Sequence, residues 1–530
     1  MSKQNEAPEF VVEWEDPADA ETCWQYDPVH TPGAISPLAC DLAMRPFVEG
    51  FGWWSKALWV NYYMFYPVRA QLPGDAQPLP PPPPSEETLE RLREGGRRWR
   101  EEILPEVQGH IDRFRTTDFD AMPDEELAAE IERLPELRHH CGRLHTLSVT
   151  PPYIAMQHLI DTYNELTGGG DLDALRLVQG YGNKSVEAGE GLWRLSKLAV
   201  SIPSVAERLA DIDASNAREH FDELERDPSA GAFVEAFRTY LDEFGWRSGG
   251  DFGAPTWAED PSVPLTMLRA YMEAKDYDHV AEQRRLGEER EIAVRDTLAQ
   301  LEGAARQRLS DTLDVVKDVM CMTEDHNYYI DQRLYTMPRR LVLAAARRLV
   351  AAGQLDRETD VFLLHDTELL EALRGQTDSA RATALRRREE MAYWRSATPP
   401  PYIGAAPPEE APRPASPRRH EGDNADLRGT PASGGVARGP ARIVATLAEA
   451  DRLRPGDVLV TNSTLPAWTP LFAIASAVVT EVGGVLGHTA IVAREYGIPA
   501  VLNARDAMRR LPDGQLIEVD GSAGVVRVVG

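Results

Sequence analysis

The sequence predicts a multidomain chain, with a mostly α-helical region over residues 1–395 followed by a small α/β unit over residues 427–530. Three observations predict it. Before residue 396, apolar residues recur at three- and four-residue spacing, the period of an amphipathic helix. After residue 426 they come in short alternating runs divided by turn residues, the period of strands. Between them lies a linker, 396–426, that includes Pro399, Pro400, Pro401, Pro407, Pro408, Pro412, Pro414 and Pro417 and has too few large apolar side chains to build a core.

Taken in order, Gln77–Ser85, with Pro80 through Pro84 consecutive, predicts a stiff polyproline II connector. Helical periods cover Glu86–Phe114, Glu125–Leu147, Ala174–Ala199, Val234–Phe244, Val263–Leu301 and Met337–Ala352. Asp360–Leu364 predicts a short strand ahead of a helix through Leu373. The linker, extended at roughly 3 Å per residue, reaches on the order of 90 Å, more than joining adjacent domains requires. It is either a disordered spacer or the tether of a domain that must travel. Beyond it, strands are predicted at Ala441–Val444, Asp457–Val460, Ala477–Val482, Ala500–Leu502, Leu516–Val519 and Val525–Val529, with Asp520-Gly521 heading a final hairpin.

Composition narrows the partners. A net charge of −28 argues against a nucleic-acid or anionic-membrane partner, since both need a basic face. Cys23, Cys40, Cys141 and Cys321 form no CxxC pair and no metal-ligand spacing, so neither a disulfide framework nor a zinc site is expected. Met1–Asp16 has no apolar leader segment, and no run approaches the length of a membrane span. A reducing cytoplasm is the simplest compartment.

The richest stretch is Glu481–Val501. A buried strand runs into a turn at Gly483 and Gly484, Gly487 opens the backbone, His488 follows, and a helix is predicted over Thr489–Tyr496. Gly497 stands at the C′ position and Pro499 prevents continuation. His488 is thereby placed at a helix N-terminus, where free N–H groups and the helix dipole favour an anion. A neutral imidazole is a competent nucleophile towards phosphorus. Thr489 offers a hydroxyl to a phosphate. Arg494 either neutralises its charge or is a solvated ion-pair residue.

Gly-Gly-x-x-x-His-x-Ala-Ile-Val-Ala-Arg-x-x-Gly-Ile-Pro-Ala-Val, from Gly483 to Val501, resembles the phosphohistidine motif of the phosphoenolpyruvate-utilising and pyruvate phosphate dikinase family. Leu486-Gly487 replaces the usual Thr/Ser-Ser before the histidine. Gly429–Arg442, Gly456–Val460 and Pro466–Phe472 resemble other parts of the same domain, so the likeness covers Leu427–Gly530. It implies a swivelling domain that carries phosphate on His488 between a donor and an acceptor site. Relatives charge themselves through an ATP-grasp domain or a (β/α)8 barrel, neither of which is evident here. Nor is there a glycine-rich ATP loop of P-loop type.

Looser resemblances extend over the helical region. Trp14–Pro17 with Trp24–His30 and Ser36–Leu38, Leu177–Ser185, Gly245–Ser248 with Pro255–Pro261, Asp360–Leu364 with Glu368-Leu369, and Arg388–Glu390 resemble the acceptor domain of rifampin phosphotransferases and of the phenylphosphate synthase large subunit. Glu324 falls at the Glu of the Arg-Glu-x-x-Lys motif of rifampin phosphotransferases, with Thr323 and Asn327 in place of Arg and Lys. On an α-helix His326 and Asp331 would lie nearly opposite, while Asn327 and Asp331 share a face. Glu324 or His326 is the candidate general base, the alternative being a buried polar ladder between helices. His139, His140, His145 and His158 are candidates for a pocket near Pro151-Pro-Tyr153. Tyr62, Tyr63 and Phe65 are either an aromatic platform or core.

The resemblance to phenylphosphate synthase implies a subunit of an ATP-dependent hydroxyaryl phosphotransferase, with Mg²⁺ and ATP bound by a separate ATP-grasp subunit, a small phenolic substrate, and AMP plus phosphate as by-products. PLP, flavin and zinc are not expected, and no residue is assigned as a metal ligand. Catalysis is expected of His488, Glu324 and His326; phosphate support of Gly483, Gly484, Gly487, Thr489 and Arg494; acceptor binding of His145, Asp325, Asp331, Arg247 and Lys184. The rival readings are an antibiotic phosphotransferase and a phosphocarrier without a small-molecule acceptor.

Overall fold

The computed structural model describes residues 10–26, 28, 31, 33–52, 56–68, 85–248, 252–407 and 426–529. The Gln77–Pro84 connector and most of the linker lie outside them. Its first part does not: Tyr402–Gly404 is an edge strand of a four-stranded antiparallel sheet, with Trp24 opposite Ile403. Ile403 is buried against Trp24, Tyr63 and Phe65, so these residues belong to the N-terminal body despite the prolines before them. Leu58–Val60 and Tyr63–Pro67 form the hairpin on the other side, turning at Asn61-Tyr62 with both φ positive, as a two-residue type I′ turn demands. Tyr63 and Phe65 are thus core of this small sheet, and the Tyr62 hydroxyl donates to Glu390.

Helices dominate residues 85–395, and they break where the local chemistry requires. Pro135 sits in the first turn of a long helix, Leu134–Thr167, and separates it from Asp124–Glu132. The period predicted over Ala174–Ala199 is interrupted after Arg176, where Gly180 and Gly182 take positive φ (68° and 75°). The next helix, Lys184–Ser201, starts on an Asn183 side chain that accepts from the Ser185 and Val186 N–H groups. Asp278 likewise caps a fresh start at His279, dividing Val263–Leu301. Asp360–Leu364 is not a strand. The buried Asp360 carboxylate accepts from the Arg357 N–H and side chain and from Arg388, and this winds Glu358–Leu363 into a 3₁₀ helix.

The C-terminal unit is an eight-stranded mixed sheet. In spatial order its strands are Leu427–Arg428, Val525–Val528, Leu516–Asp520, Val436–Ile443, Val458–Thr461, Ala477–Thr480, Ala500–Leu502 and Thr430–Ser433. The three pairings from Val436–Ile443 through Ala500–Leu502 are parallel. The predicted hairpin at Asp520-Gly521 joins two antiparallel neighbours. The helix that crosses between the last two parallel strands is His488–Glu495.

This unit does not stand apart. Trp468, Leu471, Phe472, Val492 and Tyr496 share one apolar cluster with Leu192, Leu195, Tyr240 and Tyr271 of the helical region. Gly189 makes the approach possible, because a Cβ there would lie 2.1 Å from the Tyr496 hydroxyl oxygen. No helix among the described residues is long and apolar enough to cross a membrane.

Candidate active site

His488 is the first residue of its helix, with Gly487 as N-cap, as the glycine pattern predicts. Gly483 has φ +142°, and the Gly487 N–H donates to Gly484 O (2.9 Å), closing the turn beneath the histidine. The ring faces the helical region. Its Nδ1 lies 3.0 and 2.9 Å from the two carboxylate oxygens of Glu324, which is wholly buried, and its Nε2 lies 3.4 Å from the Thr469 hydroxyl. A carboxylate only accepts, so Nδ1 carries the ring proton and Nε2 is left with its lone pair. Ser185 donates to the same carboxylate at 2.7 Å and fixes it. Ser185 is in turn set by the Asn183 cap at the helix start.

Glu324 therefore orients the His488 ring, and its pairing is with His488, not with an open pocket. Ser185 and Thr469 both lie in stretches that carry the family resemblance, yet neither has a spacing signal of its own. Thr489 is buried and shares a hydrogen bond with Thr464 (2.8 Å). Arg494 fits neither expectation. Buried, with its pKa pushed down to about 10 by burial, it donates to the carbonyls of Ala432 and Val485, both 2.9 Å away. It ties down the Gly483–Gly487 turn from behind.

Beyond Glu324 the helix changes period. Residues Asn327–Leu334 are π-helical, so residues five apart come onto one face. His326 and Asp331, expected on opposite sides, approach to 3.8 Å between Nε2 and Oδ2. His145 joins them from the long helix, its Nδ1 2.9 and 3.0 Å from the Asp331 oxygens. Phe51 stacks on the His145 ring at 4.7 Å, and Phe47 meets it edge-on. Burial pushes the His326 imidazole pKa down, against the opposing pull of Asp331.

The other proposed acceptor residues are engaged elsewhere. Asp325 accepts from the Lys184 backbone N–H at 2.9 Å; burial raises its carboxyl to about 6, the Lys184 hydrogen bond opposing. The Lys184 ammonium pairs with Glu187 and Glu243. Arg247 is sandwiched between Phe244 and Trp257 and donates to Gln332 at 2.7 Å. Of the other histidines, His140 pairs with Glu106, and His158 is buried further along the long helix.

The docked interface has its own titratable group. Glu495 is buried and accepts from the Gly180 and Gly182 N–H groups at 3.1 and 3.3 Å. Burial raises its pKa to about 7, the two N–H groups opposing. The docked state then binds more protons than the free carboxyl between about pH 4.5 and about pH 7. Its stability falls as pH rises through that window and is flat above it, by about 3 kcal/mol at most. Melting curves of the wild type against pH should show this slope, and Glu495→Gln should flatten it. An equal slope in the variant would place the titration elsewhere.

Two families match the chain. Residues 453–524 match the PEP-utilising enzyme mobile domain, and residues 145–324 match the rifampicin phosphotransferase fourth domain. The first match contains His488 and Thr469; the second contains His145, Ser185 and Glu324. The site thus lies where a stretch similar to the PEP-utilising enzyme mobile domain meets a stretch similar to the rifampicin phosphotransferase fourth domain. Among curated proteins it is 32% identical to chondramide synthase cmdD of Chondromyces crocatus, over 98% of this chain and 14% of that protein. It is 30% identical to the uncharacterised phosphotransferase YvkC of Bacillus subtilis, over 78% of this chain and 51% of that protein. It is 32% identical to the rifampicin phosphotransferase of Streptomyces sviceus, over 66% of this chain and 40% of that protein. The chain spans at most about half the length of these relatives.

Proposed function

We propose that this chain is the carrier and acceptor part of a phosphotransferase, and that it passes a phosphoryl group from His488 Nε2 to a hydroxyl held against the helical region. The observation that carries the reading is the Ser185–Glu324–His488 chain of hydrogen bonds across the docked interface. With Nδ1 protonated and paired to a buried carboxylate, Nε2 is the nucleophile. Once phosphorylated there, the ring is a cation that Glu324 stabilises. On transfer the P–N bond breaks as the acceptor O–P bond forms. The electron pair returns to Nε2, and His488 is again neutral with Nδ1–H. The acceptor proton has a receiver in the His145–His326–Asp331 cluster, where His326 Nε2 is kept unprotonated by burial.

The acceptor class we favour is hydroxyaryl, because Phe47, Phe51, His145 and Tyr335 pack as a set of rings beside that cluster. An antibiotic acceptor is the second reading, favoured by the match to the rifampicin phosphotransferase domain. The phosphoryl donor would be ATP with Mg²⁺, bound by an ATP-grasp unit outside these 530 residues, on a partner subunit. The mobile domain would leave the docked position seen here to be charged.

Reconstitution tests this. The chain mixed with ATP, Mg²⁺ and a phenol should consume no ATP; adding an ATP-grasp partner should give ATP loss and aryl phosphate together. The partner without this chain should make no aryl phosphate. Replacing the phenol by an ansamycin separates the two acceptor readings. Robust turnover by the isolated chain would sink the split arrangement.

A further inference from the structure

The structure assigns a divalent-cation site to His145, His326 and Asp331. Each offers one ligand atom, and these atoms lie within 4.8 Å of one another. Two nitrogens and a carboxylate oxygen suit a borderline cation such as Zn²⁺ or Co²⁺, at about 2.0–2.2 Å from each ligand, with a position left open.

Three features go beyond mere proximity. First, His326 Nδ1 is 2.5 Å from the Met322 carbonyl oxygen, a pure acceptor, so Nδ1 carries the hydrogen and Nε2 presents a lone pair towards Asp331. This is the outer hydrogen bond by which metal-binding histidines are held in one tautomer. Second, the gap between His326 Nε2 and Asp331 Oδ2, at 3.8 Å, separates two electron-rich atoms with no hydrogen bond between them. A cation placed between them satisfies both atoms at once. Third, the ring of His145 is clamped by Phe51 and Phe47, so little ordering remains to be done on binding. The π-helical segment is what brings Asp331 onto the His326 face.

The sequence gives no hint of such a site, because His145 lies 186 residues from Asp331, and His326 and Asp331, five apart, would lie nearly opposite on an α-helix. This inference rests on the proposed function only for its purpose. An acceptor hydroxyl in the open position would lose its proton to solvent on coordination, and the ion would then take the place of His326 as activating group.

The test reads binding directly, without turnover. The full chain, stripped with a chelator and dialysed, is titrated with Co²⁺ while visible absorption is followed, then with Zn²⁺ by calorimetry. One equivalent should bind, with the d–d bands of a low-coordinate site, and Zn²⁺ should displace Co²⁺. Asp331→Asn and His145→Gln keep side-chain volume, and each should weaken binding by about a hundredfold or more. Circular dichroism and melting curves check that the variants fold. If the wild type binds no equivalent, or binds as well as both folded variants do, the site is not there. A failed phosphotransfer assay with intact Co²⁺ binding would instead count against the proposed acceptor chemistry and leave the metal site standing.

Discussion

His488→Ala is expected to abolish phosphoryl uptake and, with it, transfer to any acceptor. Charged wild-type protein should carry one acid-labile, base-stable phosphate, on Nε2, which leaves Nδ1 free to pair with Glu324 on docking. Removing the group that forms the covalent intermediate leaves no alternative nucleophile with that environment. Turnover should drop by at least about three orders of magnitude. Intact-mass analysis of protein charged in the presence of the donor unit reads it directly. Label retained by the alanine variant would overturn the carrier assignment.

The second largest effect is expected at Glu324. Glu324→Gln keeps the shape and the Ser185 contact but removes the charge that faces the phosphorylated ring. The amide can also turn its NH₂ towards Nδ1, which would strip the ring proton there, so that the departing nitrogen would leave as an anion. Transfer from phosphorylated His488 to the acceptor should slow by about ten- to a thousandfold, read as a single-turnover rate from protein charged beforehand. Because Glu324 is wholly buried, a melting curve must accompany the rate. A folded variant transferring at the wild-type rate would make Glu324 a packing residue only.

The docked arrangement bears on both expectations. Glu324 is on the helical region and His488 on the mobile domain, so their contact exists only while the two are together. The interface combines an apolar cluster with a few polar ties: Tyr271 to the Pro470 carbonyl at 2.8 Å, Arg269 to the Asp451 carbonyl at 2.6 Å, and Gln283 to the Glu495 carbonyl at 2.7 Å. Each of these donors meets a backbone acceptor, and Arg454 and Glu273 add an ion pair at 3.8 Å.

Much of the carrier half was legible in the sequence, because its determinants are local. The glycine turn, the helix start at His488, the C′ glycine and the parallel strands on either side follow from residues within a few positions of one another, and the strand and helix lie within a residue or two of their predicted places. Glu324 and His326 stand out in the sequence as candidate catalytic positions, but what each one touches was not readable there. Glu324 meets His488 across 164 residues, Ser185 meets Glu324 across 139, and His145 meets Asp331 across 186. No periodicity encodes such pairs. Lys184, Arg247 and Arg494 show the opposite limit. A cation in a motif suggests a ligand contact, yet Lys184 is paired with carboxylates, Arg494 donates to carbonyls, and Arg247 lies between aromatic rings with its Nε on the Gln332 amide. The helical period misled at Asp331, since the switch to a π-helix after His326 depends on how the segment packs. The sequence alone determined that His488 starts a helix behind a glycine turn and which way that helix points. Only tertiary packing decided which nitrogen is free, which carboxylate holds the other, and which three side chains cluster beyond Glu324, because those follow from contacts between elements whose order along the chain says nothing about their distance in space.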